Sequence, residues 1–341
     1  MVAKSPASGP ASDLVSFLQS KVTSGSHEAL CTSVIPAVVD CIAEIAKSLR
    51  SAHQVALAGS ANAFGDDQLN VDVAAENIVR GAAAKCPAIV TASSEEEPIE
   101  RPARSSESGT EAAVQGEQYT IAFDPLDGSS IIAPNWTVGT ILGIWEGRSA
   151  VHQAPAEKQV ASVLGIYGPR TTAIIALRVP GSEGVCLEVG IGDNGVNDCV
   201  IVRSDVRLQQ PPFKTRYFAP ANLRAAAEDQ RYGDLVNHFI KNKYTLRYSG
   251  GLVPDVVHAL VKGHGVYISP VTSVSKAKLR RLYELFPIAL IIECAGGKAV
   301  DPVDGSEILK RAAEHTDERA GLICGTAEEV DFAVKSLLNK S

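Results

Sequence analysis

A succession of short β-type runs between residues 119 and 204 constrains the fold more than any other feature of this sequence. The runs read YTIAF, TVGTILGIW, SVLGIYG, TTAIIALRV, VCLEVGIG and CVIVRS. Before them, residues 30–50 repeat apolar side chains at spacings of three and four, which is typical of a long helix. After them, helical and strand patterns interleave without a regular βαβ count. The sequence therefore predicts a mixed α/β fold.

The chain is long enough to form two lobes. Its 341 residues lie at the upper end of the range for one domain. Near residue 205 the strand-rich region gives way to the Pro-rich segment QQPPFK, and mixed helix and strand patterns follow. We therefore expect an N-terminal lobe over residues 12–204 and a C-terminal lobe over residues 205–338.

Composition and charge exclude several classes of function. With 45% hydrophobic and 21% charged residues, the composition is that of a soluble globular protein. There are 39 acidic and 32 basic residues, which give a net charge of −7 without a long run of Lys and Arg. This balance argues against nucleic acid and against an anionic membrane surface as partners.

Cysteine usage and the opening residues bear on location. The seven cysteines are odd in number and show no C-x-x-C spacing, which fits a reducing compartment. The opening MVAKSPASGPASD lacks the apolar segment of a signal peptide, and no run of eighteen apolar residues occurs. We expect a cytoplasmic protein, or a plastid protein if a transit peptide has been removed.

The motif FDPLDGSS concentrates the chemistry of the chain. Asp124 follows the predicted strand YTIAF, and Pro125 stiffens the turn that brings Asp127 back beside it. These two carboxylates and the Leu126 carbonyl then converge, and such hard oxygen donors suit Mg²⁺. The next residues, Gly128-Ser129-Ser130, place successive backbone N–H groups at a predicted helix start, where a phosphate can bind. The motif predicts metal-assisted chemistry on a phosphoester.

Each acidic motif also has a structural explanation. D-P-x-D-G is a common turn sequence, and a second copy, DPVDGS, occupies residues 301–306. The second copy lies between a Gly-Gly pair and a polar helix, so we interpret it as a turn. Asp66 and Asp72 in GDDQLNVD could be charges at a helix N-terminus, and Glu95 and Glu96 in SSEEEP could belong to a solvated loop.

Taken together, these motifs resemble successive blocks of the fructose-1,6-bisphosphatase and sedoheptulose-1,7-bisphosphatase family, a branch of the lithium-sensitive, Mg-dependent phosphatases. The blocks span about residues 28–338 and read GDDQLNVD, SSEEEP, FDPLDGSS, TVGTILGIW, LRYSGG, KAKLRRLYE and IIECAGGKA. The resemblance implies a layered αβαβα sandwich that hydrolyses a sugar bisphosphate with two or three Mg²⁺. It also implies a homodimer, with a tetramer as the alternative.

Carried over residue by residue, the resemblance implies three groups of site residues. The implied metal ligands are Glu95, Asp124, the Leu126 carbonyl, Asp127 and Glu293, with Asp66 near a weaker third site. Asp72 and Glu96 match the pair that activates the attacking water, with Glu96 as the base. The substrate groups comprise Gly128, Ser129 and Ser130 for the scissile phosphate, and Asn222, Arg247, Tyr248 and Lys278 for the far phosphate and the sugar.

Local departures favour the sedoheptulose branch of the family. SSIIAPNWTVGTI, FAPANLRAA and VTSVSKAKLRRL resemble that branch, and Ser269 stands where fructose-bisphosphatases commonly have a sugar-site Tyr. The expected reaction is hydrolysis of the 1-phosphate of sedoheptulose 1,7-bisphosphate. The alternative is a fructose-1,6-bisphosphatase or an enzyme with both activities. A non-catalytic metal-binding descendant is disfavoured because the acidic positions are all present.

Overall fold

Helices and strands alternate along the chain in a computed structural model, which describes residues 12–23, 25–61, 67–104 and 116–338. Single π-helical turns at Leu30–Val34 and Arg281–Leu285 lead into longer helices, and short 3₁₀ turns occur at Leu223–Ala227 and Ile308–Lys310. The α-helices of the described residues are α1 (Ser12–Gln19), α2 (Ile35–Ser51), α3 (Asn70–Lys85), α4 (Ser129–Ile132), α5 (Pro155–Lys158), α6 (Gln230–Lys241), α7 (Leu252–Lys262), α8 (Phe286–Cys294) and α9 (Ala327–Leu338).

The strands divide into two large and two small sheets. Strands of the first half are β1 (Leu57–Ala61), β2 (Asp67–Leu69), β3 (Ile89–Ser94), β4 (Arg101–Pro102), β5 (Tyr119–Asp127), β6 (Val138–Glu146), β7 (Gln159–Tyr167), β8 (Thr171–Leu177), β9 (Val185–Gly192) and β10 (Gly195–Arg203). Strands of the second half are β11 (Tyr217–Pro220), β12 (Thr245–Leu246), β13 (Val266–Ser269), β14 (Leu279–Arg280), β15 (Lys298–Val300), β16 (Arg319–Ala320) and β17 (Leu322–Gly325).

The predicted β-type runs form β5 to β10 of an eight-stranded sheet, in the order β10-β9-β8-β7-β6-β5-β3-β4. Neighbouring strands are antiparallel, except that β3 and β5 are parallel. Strands β5 and β7 are buried along their whole length because apolar layers cover both faces of the sheet. This burial explains why the runs are continuously apolar rather than alternating.

Five layers follow from the way the helices pack on the two large sheets, so the predicted αβαβα arrangement is confirmed. Helices α2 and α3 share a core with one face of the eight-stranded sheet. The other face packs against α7 and α8, which also contact the five-stranded sheet β12-β11-β13-β17-β15. Helices α6 and α9 cover the outer face of that second sheet.

Close approach of α2 to the sheet depends on a glycine. Gly165 lies in β7, and a Cβ there would be 2.9 Å from Cγ1 of Ile42 on α2. The predicted long helix therefore packs directly on backbone at this point. Ile42 and Ile45 are both buried, in agreement with the apolar face predicted from their spacing. No helix in the described part of the chain is long and apolar enough to cross a bilayer.

The parallel pair β3 and β5 positions the acidic motifs. Parallel strands end at the same edge of a sheet, and here that edge carries Glu95 after β3 and Asp124 within β5. The backbone N–H of Glu95 donates to the carbonyl of Phe123 at 3.0 Å, which extends the pairing to the acidic residues themselves.

Candidate active site

Three carboxylates from distant parts of the chain converge at the edge where β3 and β5 end. Glu95 follows β3, Asp124 belongs to β5, and Glu284 belongs to the π-helical turn Arg281–Leu285. One oxygen from each carboxylate lies within 4.8 Å of the others, and Asp124 and Glu284 are both 6% exposed. Carboxylate oxygens are the ligands that hard divalent cations prefer. The donor set therefore fits a divalent cation.

Hydrogen bonds and an ion pair connect the end of β3, where Glu95 lies, to the π-helical turn that contains Glu284. The buried hydroxyls of Ser93 and Tyr283 are 2.5 Å apart. The guanidinium of Arg280 forms an ion pair with Glu95, and the backbone N–H of Arg280 donates to Oε2 of Glu284 at 2.6 Å. The two carboxylates are thus held by side-chain and backbone contacts on both sides of the cluster.

Burial and mutual repulsion favour the protonated forms of these carboxylates. Desolvation raises the pKa of Asp124 well above its usual range, and the charges of Glu95 and Asp127 raise it further. Desolvation and the charge of Glu95 also raise the pKa of Glu284 well above its usual range. Desolvation raises the pKa of Glu95 to about 7, against the opposing effect of Arg280. A divalent cation would offset this repulsion, which gives a physical reason for burying the carboxylates together.

Asp127 links the cluster to the C-terminal half of the chain. Its two carboxylate oxygens accept the backbone N–H groups of Leu252 and Val253, at 3.1 and 2.7 Å, where α7 begins. Desolvation raises the pKa of Asp127 to about 6, although these two hydrogen bonds lower it. Asp127 therefore contributes negative charge to the cluster and anchors the start of α7.

Where the sequence predicts a turn between Asp124 and Asp127, strand β5 instead continues to Asp127, with an irregularity in its pairing with β6 between the two aspartates. The backbone N–H of Leu126 donates to Oδ1 of Asp124 at 3.0 Å within this irregularity. Gly128 has a φ of 100°, and a Cβ there would lie 3.1 Å from Val138. Only glycine adopts this conformation readily. Helix α4 begins at Ser129, so the predicted helix start is confirmed.

Asp72 and Glu96 lie close enough for their charges to interact. Asp72 is 3% exposed, and its carboxylate accepts the N–H of Leu69 at 3.0 Å and the hydroxyl of Ser129 at 3.3 Å. The first contact confirms a capping role at the start of α3, and the second brings Asp72 to the FDPLDGSS motif. Desolvation raises the pKa of Asp72 to about 6. The carboxylate of Glu96 accepts a hydrogen bond from the amide of Gln68 at 2.5 Å.

Arg247 and Tyr248 line a cleft of about 1,020 Å³. The guanidinium of Arg247 lies 5.7 Å from the centre of the Tyr217 ring, which is cation–π geometry. The Tyr248 side chain is partly exposed, and the exposed Trp136 lines the same cleft. The guanidinium of Arg247, held over the Tyr217 ring, is a positive charge that suits binding of an anionic group.

Asn222 adjoins Tyr248 through a backbone hydrogen bond, whereas Lys278 stands apart from both. Asn222 has a φ of 51°, and its side-chain amide donates to the Pro270 carbonyl at 3.1 Å. Lys278 is exposed, two residues before Arg280, and it does not line the cleft of Arg247 and Tyr248. The structure thus brings Arg247 and Tyr248 together and leaves Lys278 outside their cleft.

Glu293, which the resemblance implies as a metal ligand, lies outside the cluster, and the third carboxylate of the cluster is Glu284. The carboxylate of Glu293 forms an ion pair with Arg178 at 2.7 Å. Glu284 lies in the π-helical turn Arg281–Leu285, whereas Glu293 lies near the end of α8, nine residues further along the chain. There Glu293 pairs with Arg178 and does not join the carboxylate cluster.

Sequence reasoning missed Glu284 and Arg280. Both fall in the block KAKLRRLYE, from which the resemblance supplies Lys278 for the substrate but no metal ligand. The available signal was a charged residue in an otherwise apolar run, LYELFPIALII, because a buried charge in such a run needs a partner. Both residues are indeed buried and paired.

The second DPVDG copy is a turn, as interpreted from the sequence. Gly305 N–H donates to the carbonyl of Asp301, and the N–H of Asp301 donates to the carbonyl of Ser306, both at 2.8 Å. Its first carboxylate is buried in an ion pair with Arg281 rather than in the carboxylate cluster. Asp66, the remaining expected ligand, lies outside the described residues.

Models of one phosphatase family match both halves of the chain. Residues 17–196 match the N-terminal domain of fructose-1-6-bisphosphatase, and residues 212–338 match its C-terminal domain. The chain therefore belongs to the fructose-1,6-bisphosphatase family, whose members are metal-dependent hydrolases of phosphate monoesters.

Within this family, the chain is similar to both kinds of sugar bisphosphatase. It is 38% identical to the chloroplastic sedoheptulose-1,7-bisphosphatase of Triticum aestivum, over 79% of this chain and 63% of the wheat protein. The chain thus spans less than two thirds of that relative's length. It is 33% identical to a class 1 fructose-1,6-bisphosphatase of Syntrophotalea carbinolica, over 85% of this chain and 83% of the bacterial one.

A solved structure supports the fold over nearly the full chain. A crystal structure from Toxoplasma gondii, provisionally named a sedoheptulose-1,7 bisphosphatase, superposes with a TM-score of 0.83 at 34% identity. The superposition covers 96% of this chain and 99% of the other.

Proposed function

We propose that this protein hydrolyses the 1-phosphate of sedoheptulose 1,7-bisphosphate, with Mg²⁺ as cofactor, and leaves sedoheptulose 7-phosphate. The observation that carries the proposal is the buried convergence of Glu95, Asp124 and Glu284 within 4.8 Å. The seven-carbon substrate is favoured because identity to the wheat sedoheptulose-1,7-bisphosphatase, 38%, exceeds identity to the bacterial fructose-1,6-bisphosphatase, 33%.

The carboxylate cluster would hold the cation. The proposed ligands are Glu95, Asp124, the Leu126 carbonyl, Asp127 and Glu284, for two or three Mg²⁺, with Asp66 as a further candidate. Bound Mg²⁺ neutralises phosphate oxygens and lowers the pKa of a coordinated water.

The chain's own groups would move the proton and hold the reacting phosphate. Glu96 is the proposed base that accepts the proton of the attacking water, and Asp72 is its partner. The pKa of Asp72, about 6, allows it to exchange a proton near neutral pH. The backbone N–H groups of Gly128, Ser129 and Ser130 would bind the scissile phosphate where α4 begins.

The far phosphate and the sugar would bind in the cleft lined by Arg247 and Tyr248. Arg247, supported by the Tyr217 ring, supplies a fixed positive charge, and Tyr248 supplies a hydroxyl in the same cleft. Asn222 and Lys278 are the further proposed contacts. This arrangement would fix the substrate by its non-reacting end, which orients the scissile phosphate toward the carboxylates.

Three further properties belong to the proposal. The N-terminal lobe comprises residues 12–204 and the C-terminal lobe residues 205–338, which keeps each large sheet within one lobe. The protein is a homodimer in the cytoplasm, or in a plastid if a transit peptide has been removed.

The test is phosphate release from sedoheptulose 1,7-bisphosphate and fructose 1,6-bisphosphate side by side, with and without Mg²⁺. We expect Mg²⁺-dependent release with a higher kcat/KM on the seven-carbon substrate. A higher kcat/KM on the six-carbon substrate would support the fructose-1,6-bisphosphatase alternative. Release from neither substrate would overturn the proposal, and inositol monophosphate serves as a control for a general phosphatase.

A further inference from the structure

The DPVDG turn at residues 301–305 is connected to the carboxylate cluster through one buried ion pair. Oδ2 of Asp301 accepts a hydrogen bond from Nη2 of Arg281 at 2.7 Å. Asp301 is 7% exposed and Arg281 is 3% exposed. Charged groups with this degree of burial require a partner, so each of these side chains depends on the other.

The hydrogen bonds of the turn engage one carboxylate oxygen of Asp301 and direct the other toward Arg281. Oδ1 of Asp301 accepts the N–H of Val303 at 3.0 Å, within the turn. The backbone groups of Asp301 bond to Gly305 and Ser306, both at 2.8 Å. The remaining oxygen, Oδ2, faces Arg281. Because the turn directly follows β15, Asp301 is also fixed to the second large sheet.

Arg281 adjoins the residues that complete the cluster. It follows Arg280, which pairs with Glu95, and it precedes Glu284 by three residues in the π-helical turn. Its backbone N–H donates to the carbonyl of Glu318 at 2.7 Å, which continues the pairing of β14 with β16. A shift of the Arg281 side chain would therefore move the backbone that positions Arg280 and Glu284.

Asp301 supports the charge of Arg281 more than Asp304 does, and it is less shared than the third acidic neighbour, Glu318. Arg281 also lies 3.1 Å from the carboxylate of Glu318, but Glu318 is shared with Arg311. No second ion pair of Asp301 occurs among the described residues, apart from the one with Arg281.

We propose that Asp301, acting through its buried ion pair with Arg281, is a positioning residue that holds Glu284 and Arg280 in the carboxylate cluster. This inference rests on the proposed function of the cluster as a metal site. The residues that support metal ligands affect metal affinity, typically by tenfold or more, although they touch no metal. Loss of the Asp301 charge should therefore weaken Mg²⁺ binding on the order of tenfold.

The test compares Asp301→Asn with Asp304→Asn, the exposed aspartate of the same turn, in the full-length chain. Calorimetry measures the affinity of the substrate-free protein for Mg²⁺, and kinetics measure KM and kcat. We expect about tenfold weaker Mg²⁺ binding in Asp301→Asn, with the substrate KM unchanged at saturating Mg²⁺. The loss should be smaller in Asp304→Asn, because Asp304 supports the charge of Arg281 less than Asp301 does. A merely structural role would lower the melting temperature without changing the Mg²⁺ affinity of the folded fraction.

A double variant keeps the inference falsifiable if Asp301→Asn does not fold. Arg281→Met with Asp301→Leu removes both buried charges and keeps apolar volume, which favours folding. Weakened Mg²⁺ binding in the folded double variant would support the positioning role, and wild-type binding would overturn it. If the wild-type protein binds Mg²⁺ but releases no phosphate, the proposed function fails. The Mg²⁺ affinities of the variants still test the positioning role of Asp301 in that case.

Discussion

Replacing Glu284 by Gln should abolish activity and, at the same time, make the metal-free protein more stable. Glutamine retains an oxygen that can accept the N–H of Arg280, so the 2.6 Å hydrogen bond at this position can persist. What the substitution removes is a carboxyl group that, once ionised, places a buried negative charge within 4.8 Å of two other carboxylates. The matched control is Glu293→Gln, on the same helix but outside the cluster.

The expected gain in stability follows from charge repulsion. Two unit charges 4.8 Å apart repel by about 3 kcal/mol at an effective dielectric constant of about 20. For a chain of this size, that corresponds to a rise in melting temperature of roughly 5 °C. The activity should fall on the order of a thousandfold, because one ligand of the proposed cation is lost.

The sign of the pH dependence is fixed by the direction of the pKa shift. The pKa of Glu284 is raised in the folded state, so the folded protein binds a proton more tightly than the unfolded chain. Its contribution to stability is therefore present at low pH and is lost as pH rises above the ordinary glutamate value. The difference in melting temperature between Glu284→Gln and wild type should accordingly grow from pH 5 to pH 8.

The assay is thermal unfolding of both variants in EDTA across that pH range, paired with phosphate release in Mg²⁺. Glu293→Gln should keep most of its activity and gain no stability, because it loses only a half-buried ion pair with Arg178. The reasoning is refuted if Glu284→Gln is active, or if its metal-free form is no more stable than wild type at pH 8. Equal loss of activity in Glu293→Gln would refute the choice of ligand.

Three further predictions test other parts of the site. Asp124→Asn should abolish Mg²⁺-dependent activity while the protein stays folded, whereas Asp304→Asn in the second turn should leave activity intact; activity and circular dichroism of both variants check this. Because desolvation raises the pKa of Asp72 to about 6, kcat/KM should fall below about pH 6, and Asp72→Asn should lose that acidic limb in a pH–rate profile. The seven cysteines are all buried and form no disulfides. A thiol reagent such as DTNB should therefore react slowly with the native protein and should label all seven thiols in denaturant.

The sheet and the helix start at the end of FDPLDGSS were predictable because their signals are local. Continuous apolar runs mark strands that are buried on both faces, as β5 and β7 are. The conformation of Gly128 and the start of α4 follow from residues that are adjacent in sequence. Asp124 and Asp127 could therefore be assigned to the site without knowledge of the rest of the chain.

The third carboxylate could not be assigned in this way because its place depends on tertiary structure. Glu284 and Glu293 are both acidic residues in a strongly apolar segment, and only the packing of α8 between two sheets decides which one meets Asp124. A π-helical turn at Arg281–Leu285 also alters the helical phase by which a side chain could have been placed. The ion pair of Arg281 with Asp301 joins segments 20 residues apart, and no pattern in either segment predicts it.

The middle helical layer has a consequence for the order of events during synthesis. Glu95 and Asp124 leave the ribosome well before Glu284, and α8 must insert between the two large sheets before the three can meet. A nascent chain that ends before residue 281 contains Glu95 and Asp124 but lacks Glu284, so its carboxylate cluster is incomplete. Tight metal binding would then begin only when the segment from residue 281 onward has docked, so the cation would bind a nearly complete fold and would not nucleate an early one.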